Sequence, residues 1–295
     1  MDSKKPGDQE LVELIFTEGD TLTGEFAGEV ISRGERMVRL LDDIISDRYA
    51  WSAEIPDWWA VTHATYLLAA IGGQRVVPPL IRALRYAEAF YNDWVLDLMP
   101  SMLGSLGPYA EENLKAIAQD RGEQFLTRTV AMEGLAAATM GRPEASGETF
   151  RIIETVFSDP SEHRITRQGA GIVLLDFKRQ SMKDALLAFS REEQAILDYD
   201  PEYPAAFLPD DVRNAFSDPN PETAFYKTKW MAFYNADEIV KRQHRWALED
   251  KKDAAHPEQI PAEQMSHAGK GLLRDSPCPC GSGKKFRNCC MGKLH

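Results

Sequence analysis

The sequence predicts an all-α fold: an α-solenoid of stacked helix pairs, followed by a flexible linker and a small metal-binding knuckle. Three observations predict it. Segments with strand periodicity are nearly absent, apolar residues recur at three- and four-residue spacing through most of the chain, and one helix–turn–helix pattern repeats. Because a helix pair covers its apolar face only against its neighbours, such a repeat is typical of a solenoid.

The clearest helix pair surrounds Gly72 and Gly73. One apolar stripe ends just before these glycines, and a second begins at Pro78 and Pro79. Glycine beyond the end of one helix and proline in the first turn of the next are expected at a helix–turn–helix. The two stripes consist of Val61, Leu67, Leu68 and Ile71, then Leu80, Ile81 and Leu84.

This unit recurs along the chain. Its turns fall at Gly72, Gly107 and Gly141, which lie 35 and 34 residues apart, and a weaker copy turns at Gly34. The pattern resembles HEAT-like repeats, specifically those of a bacterial HEAT-like family that often carries a metal motif at its C-terminus. We therefore expect a repeat domain over 20–190, after a lead-in at 1–19.

Beyond residue 190 the repeat fades. A connection rich in Pro and Asp predicts one short helix near Asp210–Phe216, and 223–250 predicts one long helix or a broken pair. We expect 191–250 to cap the solenoid, and 251–275, which has no apolar face, to form the flexible linker. Four side chains of the cap are predicted to face inward: Phe225, Trp230, Phe233 and Ile239.

Charge is unevenly distributed along the chain. The net charge is −12, but residues 270–295 carry +5 and residues 1–269 carry −17. An acidic body repels nucleic acid, so we expect no DNA partner. We expect no integral membrane segment because no apolar run is long enough. The polar N-terminus does not resemble a secretory signal, so the predicted location is cytoplasmic.

All four cysteines lie near the C-terminus, at Cys278, Cys280, Cys289 and Cys290. A reducing compartment disfavours disulfides, whereas four clustered thiolates provide the tetrahedral set that Zn²⁺ prefers. Fe²⁺ is a second metal that such a set holds. A closed set of four ligands leaves no position for water, so the predicted site is structural. Metal binding is expected to fold 276–295, which is too short to build an apolar core.

The segment CPCGSGKKFRNCC resembles the SEC-C motif, which occurs at the C-terminus of the SecA translocation ATPase and in many otherwise unrelated bacterial proteins. Ser282 and Gly283, together with the four cysteines, fill its pattern without a gap. The resemblance implies a bound metal, usually zinc and in some members iron. It also implies partners, since the motif in SecA binds the chaperone SecB, anionic phospholipid and ribosomes. Basic residues beside the cysteines are the candidates for partner contact: Lys284, Lys285 and Arg287.

The body lacks a catalytic signature. No His-Glu-x-x-His, Gly-x-Ser-x-Gly or Gly-x-Gly-x-x-Gly stretch is present, and the absence of cysteine from the body excludes a thiol nucleophile there. Aligning the repeats places His63 opposite Leu98 and Met132, so we expect His63 to be a packed core residue. The sequence therefore predicts no catalytic residues and a protein that is not an enzyme.

Aromatic residues are the strongest lead in the body. Trp59 and Trp94 occupy the same repeat position, and the simplest interpretation is that they join adjacent repeats. Trp58 points about 100° away from Trp59 on a helix, so the two cannot be equally buried. A second interpretation is an acid-rimmed aromatic groove for a peptide or a basic partner. That groove would be lined by Trp58, Tyr86, Phe90 and Tyr91.

These observations predict a metal-binding adaptor. Its acidic helical surface would bind one protein, and its knuckle would dock to a second partner in translation, targeting or chaperoning, such as the ribosome or a SecB-like chaperone. Two weak contacts joined by a linker give avidity that neither has alone. Two alternatives stay open: an enzyme in the solenoid groove that the tail localises, and metal sensing or storage.

Overall fold

The computed structural model describes residues 5–255, with side chains as far as 248. Every regular element in that range is helical, which confirms the all-α class. None of the helices found there is long and apolar enough to cross a membrane. The α-helices are α1 (Asp8–Thr17), α2 (Gly24–Ser32), α3 (Glu35–Ser46), α4 (Trp59–Ile71), α5 (Val77–Phe90), α6 (Asp93–Leu96), α7 (Met99–Ser105), α8 (Pro108–Gln119), α9 (Phe125–Thr139), α10 (Ser146–Ser158), α11 (Arg164–Asp176), α12 (Lys183–Tyr199), α13 (Pro209–Ala215) and α14 (Ala236–Ala255).

The chain divides into two compact units. The first comprises the residues up to 98 together with those from 229 onward, and so contains α1–α6 and α14. In this unit α2 packs against α4, and α3 packs against both α4 and α5. Helices surround α4, and this explains why none of its residues is an Asp, Glu, Lys or Arg and why nearly all of them are buried.

The second unit comprises residues 99–228 and contains α7–α13. Within it α9 packs against both α7 and α11, and α8 packs against α9 and α10. The approach of α7 to α9 depends on Gly104, because a Cβ atom at this position would lie 2.4 Å from the Cβ of Ala137. Side-chain atoms do not approach so closely without a shift of the backbone.

The predicted turns are present. Gly34, Gly72 and Gly107 have φ of +57°, +70° and +55°, a region that glycine enters without steric cost. Gly141 also lies in a turn, although its φ is not positive. Within each unit a helix packs both against the next helix in the chain and against the one after it, as α3 does with α4 and α5. This is the packing expected of stacked helix pairs. One continuous HEAT-like solenoid over 20–190 stays a prediction, since the two units divide that range between them.

The segment after residue 190 differs in part from its prediction. α12 continues to Tyr199, and the short helix expected near residue 210 is present as α13. The segment 223–250 is broken into two short 3-10 helices, Phe225–Lys227 and Trp230–Tyr234, followed by α14. α14 extends to Ala255, so the predicted linker begins within a helix; the rest of the linker and the knuckle lie outside the described residues.

Because 223–250 is not one continuous helix, the aromatic rings buried there differ in part from those predicted. Phe233 is buried as predicted, and Trp230 and Ile239 are partly buried. The prediction for Phe225 was wrong: its side chain is 43% exposed, and Tyr226 is buried instead. The error follows from helical phase, because 3-10 geometry places successive side chains at different angles from an α-helix.

Candidate functional site

The predicted metal ligands and their basic neighbours lie outside the described residues. These are Cys278, Cys280, Cys289, Cys290, Lys284, Lys285 and Arg287. Over 5–255, no group of three or more His, Cys, Asp or Glu side chains has an arrangement suited to a metal ion. Two features of the first unit are the candidates in the described part of the chain. One is a cluster of tryptophans that reaches the surface, and the other is a group of buried polar side chains beneath it.

A cluster of tryptophans is centred on Trp59. Its ring centroid lies 5.1 Å from that of Trp58 and 5.2 Å from that of Trp94, both in edge-to-face geometry, and 5.7 Å from that of Phe233. The contact between Trp59 and Trp94 is the one predicted from their shared repeat position. Trp246 of α14 joins the cluster, with its ring 6.4 Å from that of Trp94.

Trp59 is buried, whereas three rings around it are partly exposed. We call Trp58, Trp94 and Trp246 the tryptophan face. The difference in burial between Trp58 and Trp59 agrees with the sequence argument that adjacent tryptophans cannot share one face. Large aromatic rings that reach the surface together are a common feature of binding surfaces.

The two tyrosines predicted to line a groove differ from each other. Tyr86 is 4% exposed, packs edge-to-face against Trp51 and Phe90, and its hydroxyl accepts a hydrogen bond from Arg48 Nε at 3.2 Å. Tyr86 is therefore a core residue, and its assignment to an exposed groove is corrected. Tyr91 is 54% exposed and ends α5 in a left-handed conformation, with φ of +53°.

Two carboxylates flank Trp94, one at each end of α6. Asp93 and Asp97 lie one helical turn apart and are both exposed. Partial burial, and secondly the negative charge of Asp93, raise the pKa of Asp97 above its usual value. Within the described residues, no cation forms an ion pair with either carboxylate. The tryptophan face is thus edged by negative charge that the rest of the described chain does not neutralise.

His63 lies beneath the tryptophan cluster and is fully buried, as predicted for a core residue. Its Nε2 is 2.7 Å from the carbonyl oxygen of Gly19, and its Nδ1 is 3.0 Å from the hydroxyl of Tyr234. Because a carbonyl only accepts, Nε2 carries the proton and Nδ1 accepts from Tyr234. Burial lowers the pKa of His63 to about 4, so the ring is neutral at physiological pH.

A polar group that sequence reasoning missed holds α14 in place. Asp20 accepts hydrogen bonds from Gln243 Nε2 and Trp246 Nε1, each at 2.8 Å, and its carboxylate lies 3.4 Å from Arg242 Nε. A terminal guanidinium nitrogen of Arg242 also donates to the backbone carbonyl of Asp20 at 2.8 Å. We call Asp20, Arg242, Gln243 and Trp246 the Asp20 latch.

The Asp20 latch continues into the aromatic cluster. The guanidinium of Arg242 lies 3.7 Å from the ring centroid of Phe233, and burial lowers the pKa of Arg242 below its usual value. The latch joins residues 222 to 226 positions apart in the chain. No local spacing signals such a contact, and this is why no sequence pattern indicated it.

In the second unit the buried charges are satisfied by structural partners. Glu193 is fully buried and accepts from Gln168 Nε2 at 2.6 Å, from the Tyr203 hydroxyl at 2.9 Å and from Arg164 Nε at 2.7 Å. Arg128 is likewise buried and forms a two-pronged ion pair with Glu162. Buried polar networks whose members are satisfied in this way rigidify a core.

Comparison with known proteins identifies the tail. Residues 276–292 match the model of the SEC-C motif, a metal-binding motif, and this range includes all four cysteines. The chain is 49% identical over 37 residues to the uncharacterized protein YecA of Escherichia coli and equally to that of Shigella flexneri, covering 12% of this chain and 17% of each relative. The chain therefore carries a SEC-C motif together with a helical body.

A third similarity extends over more of the chain. It is 27% identical over 194 residues to the protein translocase subunit SecA of Chloroflexus aggregans, covering 62% of this chain and 17% of that protein. This chain thus spans less than a fifth of the length of the curated relatives it matches. No solved structure matches it.

Proposed function

We propose that this protein is a metal-binding adaptor without enzymatic activity. The SEC-C segment binds one Zn²⁺ through Cys278, Cys280, Cys289 and Cys290, and this small metal domain docks to a partner. The match of residues 276–292 to the SEC-C motif, with all four cysteines inside it, carries the proposal.

The donor set suits this assignment. Four thiolates satisfy the tetrahedral coordination of Zn²⁺ completely, which is typical of structural rather than catalytic sites. Fe²⁺ is the alternative metal, because thiolates hold it as well. Four thiolates and one divalent cation leave a formal charge of −2, and the adjacent Lys284, Lys285 and Arg287 offset it. A metal held in this way contributes to the folding of a short segment that has little apolar core of its own.

The proposed partners belong to protein synthesis, targeting or chaperoning in the cytoplasm. The similarity to a protein translocase subunit supports this choice. The basic residues of the tail would contact one partner, and the tryptophan face together with Tyr91 would provide the protein-binding surface of the body. Saturation of the buried polar groups around Asp20, His63 and Glu193 by structural hydrogen bonds supports a role without catalysis.

An affinity capture from native bacterial lysate tests the proposal. The baits are the full chain, a Cys289→Ser/Cys290→Ser variant and, as a matched control, Ser276→Ala, which leaves the ligand set intact. The metal content of each bait and the captured proteins are both quantified. We expect one metal ion per chain in the full chain and the control, together with enrichment of ribosomal, SecB-like or translocation proteins.

The cysteine variant separates the two parts of the proposal. Loss of both the metal and the captured proteins supports docking through the metal domain. Loss of the metal with unchanged capture would mean that the SEC-C segment binds metal but does not recognise the partner. An unchanged metal content would contradict the assignment of the ligands.

A further inference from the structure

The tryptophan face has a chemistry that attracts cations. Trp58, Trp94 and Trp246 are partly exposed, and indole is the best side chain for attracting a cation to its ring. The chain already provides one example, since the guanidinium of Arg245 lies 5.7 Å from the ring centroid of Trp246. No described cation lies over the ring of Trp58 or Trp94.

The charge beside this face favours a basic occupant. Asp93 begins α6 and Asp97 directly follows it, so the two lie on either side of Trp94 in the chain, and within the described residues no cation pairs with them. Opposite charge lowers the free energy of two neighbouring carboxylates that otherwise repel each other. Asp97 follows Trp94 by three residues, a spacing at which helical side chains are neighbours, so a lysine or arginine seated here would lie close to an indole ring and a carboxylate.

The chain itself contains such an occupant. Residues 270–295 carry +5, against −17 for the rest of the protein, and three of the basic residues are Lys284, Lys285 and Arg287. No segment of 26 residues elsewhere in the chain carries as large a positive net charge. The occupant is therefore already tethered to the acidic body that it complements.

The connection is long enough to return to the face. α14 carries Trp246 and ends at Ala255, about 14 Å further along the helix axis at 1.5 Å per residue. Residues 256–283 separate this end from Lys284, and a chain of that length spans at most about 100 Å when extended. The path back to Trp94 and Trp58 is well within that reach.

We infer that the tryptophan face is the docking surface for the basic tail of the same chain. Tethering raises the effective concentration of the tail to the order of millimolar, so contacts that are weak individually still hold it. A docked tail covers its own basic residues, and an outside partner must compete with the face for them. This inference goes beyond the adaptor function and does not depend on which metal or outside partner the tail binds. The contacts are those of Lys284, Lys285 and Arg287 with Trp58, Trp94, Asp93 and Asp97.

Zero-length cross-linking of the full chain tests the contact directly. A carbodiimide activates a carboxylate, and a lysine amine that touches it displaces the urea and leaves an amide, which peptide mass spectrometry locates. We expect cross-links from Lys284 and Lys285 to Asp93 and Asp97, and their disappearance in high salt because screening weakens surface charge pairs. Mixing isotopically labelled with unlabelled protein distinguishes links within a chain from links between two copies.

Variants of the face provide the comparison. Asp93→Asn/Asp97→Asn removes the acceptors, and Trp58→Ala should lower the yield of cross-links to these carboxylates roughly two- to fivefold, as expected for the loss of a cation–π contact at an exposed site. Glu13→Gln/Glu25→Gln removes two exposed carboxylates elsewhere in the first unit and should change nothing. Circular dichroism verifies that each variant is folded.

A second measurement is independent of the cross-linker. All six tryptophans lie in the first unit and none lies in the tail, so tryptophan fluorescence reports on docking at the face. We expect a triple change of Lys284, Lys285 and Arg287 to Glu to alter the emission as high salt does, and Lys284→Arg/Lys285→Arg to leave it unchanged. Three results overturn the inference: links spread evenly over the carboxylates of the body, links between copies only, or the same emission in both tail variants.

Discussion

Trp246 donates a hydrogen bond from its indole nitrogen to the carboxylate of Asp20, 226 residues earlier in the chain, at 2.8 Å. The bond fastens α14 to the turn between α1 and α2. This contact therefore holds α14, the last helix of the described chain, against the rest of the first unit. The same ring belongs to the tryptophan face, so one residue serves both the attachment of the helix and the candidate surface.

The first prediction concerns the Asp20 latch. Replacing Asp20 with Ala leaves the guanidinium of Arg242 buried without its counter-charge and removes the acceptor of Trp246 Nε1. Removing one partner of a buried charge pair is strongly destabilising, so we expect the free energy of unfolding to fall by about 2–4 kcal/mol. Urea denaturation followed by tryptophan fluorescence measures the change, since all the tryptophans lie in this unit.

Two comparisons separate the latch from a general effect. Asp20→Asn keeps an oxygen acceptor for Trp246 while removing the charge, so its loss should be smaller than that of Asp20→Ala. Glu18→Ala removes an exposed carboxylate from the same loop and should be close to neutral. Equal losses in the free energy of unfolding of the Glu18 and Asp20 variants would mean that the hydrogen bonds of the Asp20 latch do not stabilise the protein specifically.

The second prediction is a pH dependence caused by His63. Its pKa is lowered from 6.5 to about 4 by burial, so the unfolded state binds a proton between these values and the folded state does not. The contribution of His63 to the free energy of unfolding is therefore fully present above about pH 6.5 and is lost as the pH falls towards 4, by up to about 1.4 kcal/mol per pH unit. Unfolding midpoints in urea, measured by tryptophan fluorescence across this range, test the slope.

The variant His63→Gln should lack that slope because the glutamine side chain does not titrate. It should also be less stable at pH 7, since an amide does not reproduce both hydrogen bonds to Gly19 and Tyr234. His244→Gln, which changes an exposed histidine of α14, should keep the wild-type slope. A slope that survives in His63→Gln belongs to other groups.

Local patterns predicted what depends on local geometry. The repeat register anticipated the contact of Trp59 with Trp94, and the alignment of His63 with apolar residues anticipated its burial. Both inferences use the register between repeats about 35 residues apart, in which equivalent positions occupy equivalent places in neighbouring helix pairs. The SEC-C segment was recognisable because its ligands lie close together in the chain.

Other features depend on distant partners and were not predictable in this way. Asp20 resembles an ordinary loop carboxylate until α14 is brought beside it. The sequence predicted Tyr86 of α5 as a surface aromatic, but Trp51, from the connection between α3 and α4, packs against it. Phe225 and Tyr226 exchanged roles because the helix expected there is a short 3-10 turn. In each case tertiary packing rather than periodicity decides the outcome.

The third prediction concerns the close approach of α7 and α9. Gly104→Ala places a methyl group 2.4 Å from Ala137 Cβ and 3.2 Å from the backbone of α9, which forces the helices apart. We expect a loss of about 2 kcal/mol, as for other overpacked cores. Hydrogen exchange of the amides in α9, followed by mass spectrometry, reports on this unit and should accelerate.

Gly147→Ala is the matched control for that change. Gly147 lies in the first turn of α10, and nothing lies within 4 Å of a Cβ atom added there. Alanine restricts the unfolded chain and suits a helix, so we expect a gain of about 0.5–1 kcal/mol. If both alanine variants shift the free energy of unfolding in the same direction, a clash with Ala137 is not the reason for glycine at position 104.

The last prediction concerns Asp176, the final residue of α11, whose carboxylate accepts a hydrogen bond from the Tyr226 hydroxyl at 2.8 Å. Burial raises its pKa from 3.8 to about 6, with a smaller contribution from Glu222. A negative charge is also unfavourable at a helix C-terminus. The folded state therefore retains a proton between these values, and this contribution to stability is present below about pH 4 and lost as the pH rises through 6.

Asp176→Asn should stabilise the protein above pH 6 by about 1 kcal/mol, a figure reduced for partial solvent exposure. The amide oxygen still accepts from Tyr226 but carries no charge to desolvate, so the gain should vanish at pH 4. Hydrogen exchange of α11, measured at pH 5 and above and corrected for the intrinsic rate, together with urea midpoints at pH 4 and 8, tests both statements. Glu202→Gln, which removes an exposed carboxylate of the same unit, should produce no such pH-dependent gain. A gain of equal size at both pH values would instead arise from the volume or hydrogen bonding of the introduced amide, and the charge of Asp176 would not be the cause.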